Sequence, residues 1–319
     1  MTYKPPICIG QVRGQETAKL GLVLASIGGH NILLVGPPGE GKSFICSTMQ
    51  GFMPPLYGGH INELEYIYED TNLPTPSLRP FIEVSPNITP AALLGGGHKP
   101  TPGAISLANR GILFMDEFPE YDKGMLESLR GPMESGDIVV TRKGITKVYD
   151  CAFQLIAAMN PCPCGYFPSD TCTCSANKVA RYQGKLSGPM LDRIDMVISM
   201  QKLSAVDKFK PPVFNQTGIF YIKVLEALTH STEVRSQVIR NAYIPGHETF
   251  DPSSRYYRWT NDALLLFKRI VDLPMFSSRK AVRLSRLSRS VSDLQKEEEI
   301  SVRSLRIAYS YMHTGSVVM

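Results

Sequence analysis

Through the first two hundred residues, apolar strand-like runs alternate with stretches of helical spacing. The runs are Ile32–Val35, Phe81–Val84, Ile112–Met115, Phe153–Ala158 and Met196–Met200. Such alternation predicts an α/β fold in which helices cover a parallel sheet. After Gln201 the pattern changes. KFKPPVFNQTG reads as a loop, and the residues beyond it have helical periodicity with few strand signals. A core over residues 1–203 and a helical region over 204–319 are therefore expected. The clearest helix is Ser278–Leu294, where Leu284, Leu287, Val291 and Leu294 recur at spacings of three and four and mark one apolar face. Arg279, Arg283, Arg286 and Arg289 form a stripe beside it. This stripe reads either as a solvated face with snorkelling side chains or as the source of an arginine that reaches a phosphate.

Composition narrows the picture only slightly. The chain has 319 residues, 43% of them hydrophobic, enough for a sizeable core. A net charge of +5 is compatible with a nucleic-acid partner and equally with an ordinary enzyme. The start, MTYKPPICIGQ, lacks the apolar run of a signal peptide. No apolar run approaches the roughly 18 residues of a membrane helix. A soluble, cytoplasmic protein with no membrane partner is expected.

The strand NILLV leads into GPPGEGKS, Gly36–Ser43, and a helix beginning at Phe44 succeeds it. This is the P-loop pattern. Gly36, Pro37, Pro38, Gly39, Glu40 and Gly41 form a backbone cradle for phosphate oxygens, Lys42 supplies a mobile charge, and the Ser43 hydroxyl is a Mg²⁺ ligand. A P-loop requires an acidic partner at the end of another strand, and GILFMDEF provides Asp116 for the metal shell and Glu117 to orient and deprotonate water. Consecutive acids favour ATP hydrolysis over transfer to a small acceptor. The next run ends in Asn160, placed either to touch the γ-phosphate or to cap the turn before Pro161.

Four of the seven cysteines fall within NPCPCGYFPSDTCTC, at positions 162, 164, 172 and 174. Four thiolates suit a structural Zn²⁺ site, but Cys-x-Cys is not the commonest zinc spacing. Free thiols or a redox pair remain open on pattern alone. IVVTRKGITKVY (residues 138–149) predicts a β-hairpin with Arg142 and Lys143 at its tip, either an ordinary exposed turn or a contact for a nucleic-acid backbone.

Taken in order, VRGQETAK, GGHNILLVGPPGEGKS, RPF with ALLGGG, PGAISLANRGILFMDEFPE, LRGPMESGDI, FQLIAAMNPCPCG, RYQGKLSGPMLDRID and SSRKAVRLSRLSRSVSDL resemble the magnesium-chelatase-like branch of AAA+ ATPases that includes the ComM/YifB family. The cysteine block favours the ComM side. The resemblance implies an AAA+ P-loop core with a C-terminal helical lid domain. It places Asn160 at sensor 1 and Arg193 at the arginine finger offered to a neighbouring subunit. Arg279 falls at sensor 2, with Arg283 as the second candidate, and Val12, Gly14 and Gln15 fall at the adenine cradle. It implies ATP and Mg²⁺ as ligands, a homo-oligomer expected to be a hexamer, and a hairpin directed into the pore of that ring. The stretch Gly95–Ala104 is expected to be a second insertion near the pore.

Two departures are expected to matter. The Lon-protease-like domain that usually precedes this ATPase has no counterpart before residue 1, so its task is expected to be missing or to fall to a partner protein. The family's PHHS after RPF is altered to EVSPNIT. Three functions are implied by the resemblance and the basic hairpin. The leading one is a DNA translocase or branch-migration helicase. The others are a chelatase-type motor that drives metal insertion, and an ATPase that remodels proteins.

Overall fold

The computed structural model describes residues 7–213, 215–235, 257–274 and 276–312. Five parallel strands form the central sheet, in the order β2-β5-β8-β1-β9, with β1 Ile32–Val35, β2 Phe81–Val84, β5 Ile112–Met115, β8 Gln154–Met159 and β9 Met196–Ser199. The intervening β3 (Gly95–Gly96) pairs with β4 (Thr101–Pro102), and β6 (Asp137–Arg142) with β7 (Ile145–Asp150), each as a separate antiparallel pair. Every residue of β1, β5 and β8 is buried, as expected of central strands covered on both faces.

Strand β8 is shifted by one residue from its apolar run. Gln154 opens it because its side-chain amide finds partners inside, donating to the carbonyls of Ala25 (3.1 Å) and His30 (2.5 Å). Register is tied at the same edge by Asn31. Its backbone N–H donates to Asp195 Oδ2 (2.8 Å), its side chain donates to the Arg193 carbonyl (2.9 Å), and its Oδ1 accepts from the Leu155 N–H (2.8 Å).

The hairpin matches its expected position. Arg142 pairs with Ile145, leaving Lys143 and Gly144 as a two-residue turn with φ of 49° and 80°. Val140 and Tyr149 pack onto Leu64, Ile67 and Tyr68 of the helix Gly58–Glu69. At the end of that helix Asp70 accepts from Lys147 Nζ (2.5 Å) and from the Tyr149 hydroxyl (2.9 Å), so the hairpin leaves the body of the molecule at a fixed angle.

Beyond β9 the described residues contain no further strand. The short helix Ala205–Lys208 and the helices Gln216–Arg235, Asn261–Val271, Ser278–Gln295 and Val302–Tyr311 complete the chain's described elements, with an isolated bridge between Trp259 and Ile300. Leu284, Leu287 and Val291 share one buried cluster with Leu22 and Leu24 of the helix Glu16–Gly28.

The arginine stripe is only partly a solvated face, with Arg279 exposed and Arg286 half-buried. Arg283 and Arg289 are buried, as are Ser285, Ser288, Ser290 and Ser292, because neighbours cover the Ser278–Gln295 helix on several sides. Arg289 is neutralised by Asp293 (3.1 Å) and donates to the carbonyl of Glu298 (2.9 Å). No helix of the described residues is long and apolar enough to cross a membrane.

Candidate nucleotide site, arginine pair and cysteine tetrad

Three strand ends meet at one edge of the sheet. β1 runs into Gly36, β5 into Asp116 and β8 into Asn160. At Gly36 a side chain would stand 2.7 Å from the Met200 carbonyl, so this position requires glycine for close approach to the exit of β9. Gly39 and Gly41 have open space around them but φ values of 77° and 82°, a backbone that L side chains rarely adopt. The resulting curl leaves Pro37, Pro38 and Glu40 on the loop and sets Gly41 as the start of the helix Lys42–Thr48, on which Phe44 stands exposed.

Lys42 is only 8% exposed, and its ammonium is fully engaged. Nζ donates to the carbonyls of Gly36 and Pro37, both at 2.8 Å, and to Asn160 Oδ1 at 2.9 Å. Burial pulls its pKa below the ordinary lysine value, with the Asp116 carboxylate opposing that shift. The Ser43 hydroxyl donates to Asp116 Oδ2. A hydroxyl and a carboxylate thus converge beside an ammonium, a donor set that fits Mg²⁺ with its phosphate oxygens.

Glu117 is in the left-handed region (φ 51°), its N–H donating to Asp116 Oδ1 at 2.8 Å. This strained backbone holds the residue exposed at the rim, directly after Asp116.

The adenine-cradle candidates lie along the segment that leaves β9. Gly14 and Gln15 both have left-handed backbones (φ 56° and 57°). A side chain at Gly14 would crowd Leu203 (2.7 Å), and the Gln15 amide donates to the Gln201 carbonyl (2.7 Å). Val12, close before them in the chain, is buried. Glu40 points to the same segment rather than into the phosphate cradle. Its Oε2 accepts from the Leu203 N–H (3.0 Å) and its Oε1 lies 3.6 Å from Lys208 Nζ. Its contribution to the cradle is confined to its backbone.

The two arginines that the resemblance assigns to the finger and to sensor 2 meet on one residue. Arg193 Nη2 donates to Glu134 Oε1 (2.5 Å) and Nη1 to the Pro189 carbonyl (2.6 Å). Arg279 Nη2 lies 2.8 Å from the same Glu134 oxygen. Arg283, the second sensor 2 candidate, is turned to another task. Its guanidinium is buried against the carbonyls of Leu191 and Ile194 and lies 3.4 Å from Asp192 Oδ1, so it clamps the segment that carries Arg193. Glu134, Asn31 and the strap around Leu203 had no signal in periodicity or spacing. Glu134 lies within the LRGPMESGDI block, and only its partners in space reveal it.

The hairpin tip and the Gly95–Ala104 stretch form one surface. Arg142 and Lys143 are exposed, Lys143 Nζ stands 2.6 Å from His98 Nε2, and the Arg142 guanidinium lies over Gly96, where a side chain would meet it at 2.8 Å.

The cysteines of NPCPCGYFPSDTCTC converge. All four sulfurs, of Cys162, Cys164, Cys172 and Cys174, lie within 4.8 Å of one another. Separations of 3.4, 3.6 and 3.8 Å join Cys162, Cys164 and Cys172. Four thiolates about 2.3 Å from a tetrahedral Zn²⁺ would stand about 3.8 Å apart, so the set fits that ion. All four are free thiols rather than disulfides. The thiols titrate together: the pKa of Cys164 is drawn down to about 5, first by the backbone N–H of Tyr166, while Cys172 and Cys174 are held above the ordinary thiol value. The tetrad adjoins the nucleotide cradle: it begins two residues after Asn160, and a side chain at Gly165 would lie 2.5 Å from Pro38.

The family model described as magnesium chelatase, subunit ChlI, matches residues 8–208. A protein named YifB from Salmonella typhimurium is 36% identical over 307 residues, covering 94% of this chain and 59% of the relative. The competence protein ComM of Haemophilus influenzae is 33% identical over 313 residues, 97% of this chain and 60% of the relative. The magnesium-chelatase 38 kDa subunit of Cereibacter sphaeroides is 26% identical over 181 residues, half of this chain and 54% of that subunit. The chain thus spans about 60% of the length of its YifB and ComM relatives. Parallel sheet, P-loop, strand-end acids and a family match over 8–208 together make this chain a member of the magnesium-chelatase-like AAA+ family, with YifB and ComM among its relatives.

Proposed function

We propose that this chain is the motor unit of an ATP-hydrolysing ring that moves on DNA, in the manner of a translocase or branch-migration helicase. The observation that carries the ATPase part is the convergence of Lys42, Asn160, Ser43 and Asp116 where β1, β5 and β8 end. Lys42 exchanges its two carbonyl partners for phosphate oxygens of ATP, and Asn160 acts as reporter of the γ-phosphate. Ser43 and Asp116 hold Mg²⁺, whose charge offsets that developing on the phosphate oxygens. Glu117 takes the proton of the attacking water. Val12, Gly14 and Gln15 receive the adenine.

Arg193 acts on the ATP of a neighbouring subunit, so the functional species is a homo-oligomer, which we take to be a hexamer. A guanidinium supplied in this way accelerates hydrolysis by roughly 10³- to 10⁵-fold in related systems. Arg142 and Lys143 meet the phosphate backbone of DNA, a sequence-independent contact suited to a motor. Cys162, Cys164, Cys172 and Cys174 hold a structural Zn²⁺ that fixes the loop after Asn160.

ATPase rates with and without single-stranded or forked DNA test the reading. Stimulation that disappears in Arg142→Ala/Lys143→Ala, with basal hydrolysis retained, supports it. Hydrolysis indifferent to DNA in both proteins sets it aside in favour of a chelatase-type or protein-remodelling motor.

A further inference from the structure

One carboxylate oxygen, Glu134 Oε1, pairs with two guanidiniums that reach it from separate parts of the chain. Arg193 arrives from the segment before β9 at 2.5 Å, and Arg279 from the first turn of the helix Ser278–Gln295 at 2.8 Å. Two like charges held this close repel unless an anion stands between them. The geometry is that of an anion site built from paired arginines, and an internal side chain fills it. The occupant is weakly held by comparison with Arg193. Glu134 is half exposed, whereas the Arg193 side chain is 8% exposed and keeps a second anchor on the Pro189 carbonyl at 2.6 Å. Arg193 therefore stays in place when Glu134 leaves.

Glu134 also sits at the root of the hairpin. It lies on the helix Arg130–Ser135, which ends at Gly136 in the left-handed conformation (φ 77°) and enters β6 at Asp137. The junction is stiff. The Gly136 carbonyl accepts from the Cys151 N–H at 2.8 Å, and the Ser135 hydroxyl donates to the Asp137 carbonyl at 3.1 Å. A second tie joins the same two regions, because the Ser187 hydroxyl donates to Glu127 Oε1 at 2.5 Å. A shift of Glu134 is thus transmitted to the strand that carries Arg142 and Lys143.

We infer that Glu134 is a positioning residue whose carboxylate occupies, in the Arg193–Arg279 pair, the place of a phosphate group of the neighbouring subunit's nucleotide. Exchange between carboxylate and phosphate then couples that nucleotide to the hairpin. A phosphate offers more charge and more acceptor oxygens than a carboxylate to paired guanidiniums, so it displaces Glu134 when the neighbouring site is filled. The displaced carboxylate frees the helix Arg130–Ser135, and the hairpin root moves with it. When the nucleotide leaves, Glu134 returns and neutralises the pair. The inference rests on the assignment of Arg193 as the arginine that acts on a neighbour.

The test compares the wild-type chain with Glu134→Gln, Glu134→Asp, Arg193→Ala and Glu134→Gln/Arg193→Ala, measuring kcat and KM for ATP with and without forked DNA. Removing the competing charge while keeping the shape should raise basal kcat roughly threefold to tenfold, the range set by two ion pairs to one half-exposed carboxylate. KM should stay within about twofold, because neither the P-loop nor the adenine cradle is touched. Any DNA stimulation should fall toward unity in Glu134→Gln and be partly restored in Glu134→Asp. In the Arg193→Ala background the Glu134→Gln effect should vanish, which a general loss of stability would not produce.

Loss of hydrolysis in Arg193→Ala, with Glu134→Gln equal to or slower than wild type, overturns the inference and leaves the motor assignment standing. An unchanged rate in Arg193→Ala overturns both.

Discussion

Replacing Cys172 with serine removes one of four thiols while leaving a side chain of nearly the same size, so its effect reports on the tetrad rather than on packing. The magnitude comes from the loop that the site closes. Cys164 and Cys172 enclose about nine residues, and holding such a loop shut removes about 2.5 kcal/mol of chain entropy from the unfolded state. With 319 residues the entropy of unfolding is about 0.7 kcal/mol/K, so each kcal/mol moves the melting temperature by roughly 1.5 °C and the variant should melt about 4 °C below wild type. Because Gly165 leans on Pro38 and Asn160 directly precedes the segment, KM for ATP should rise in the same variant. The assay is metal analysis with thiol titration, then thermal melts with and without a strong chelator. Zinc at one ion per chain, a chelator-induced drop equal to that of Cys172→Ser, and no further drop when the two are combined are the expected results. Stoichiometric free thiols with no zinc, or equal melting of variant and wild type, refute the reasoning.

Further predictions concern the nucleotide site, the hairpin and the core. Glu117→Gln should bind ATP normally but lose roughly 10²- to 10⁴-fold in turnover, whereas Lys42→Ala should lose nucleotide binding itself, both read by equilibrium binding beside single-turnover hydrolysis. Arg142→Ala/Lys143→Ala should weaken DNA binding about equally across sequences and reduce the slope of log affinity against log salt by about 2, measured by titration at several salt concentrations. Arg283→Ala should cost about 2–4 kcal/mol in denaturant melts, because it leaves the Ile194 carbonyl and Asp192 without their buried partner. His30 is buried against Ser290 (2.8 Å), and burial pushes its pKa down to about 4. The unfolded chain takes up its proton near pH 6.5 and the folded chain only near 4, so stability is intact above about 6.5 and declines as pH falls through this window, by up to about 3 kcal/mol. A pH series of melts on wild type and His30→Gln should show that decline flattened in the variant.

What was legible in the sequence divides along physical lines. Central strands buried on both faces carry their own signature, and Ile32–Val35 and Ile112–Met115 coincide with such strands, while Phe81–Val84 coincides with the half-covered edge strand β2. Phosphate cradles demand glycine at particular backbone angles, so GPPGEGKS could be read as a loop before any contact was known. The hairpin turn was legible for the same reason, since Lys143–Gly144 must adopt positive φ. Features set by distant chain segments left no local trace.

Spacing gives a helix one apolar face, and Ser278–Gln295 has one, yet tertiary contacts cover much of its arginine stripe as well. Arg283 accordingly meets the backbone of Leu191–Ile194. Glu40 lies in the motif by position, while its side chain belongs to a strap 163 residues away. Glu134 gains its meaning from Arg193 and Arg279, 59 residues away in one case and in a different structural region in the other.

The most direct test of a DNA-coupled motor is the steady-state ATPase rate of this chain, with forked DNA added at low salt and again at high salt. A motor whose hairpin residues Arg142 and Lys143 grip the backbone hydrolyses ATP several-fold faster with DNA at low salt, and loses that stimulation as salt rises. Vigorous hydrolysis that DNA leaves unchanged at every salt concentration would contradict it.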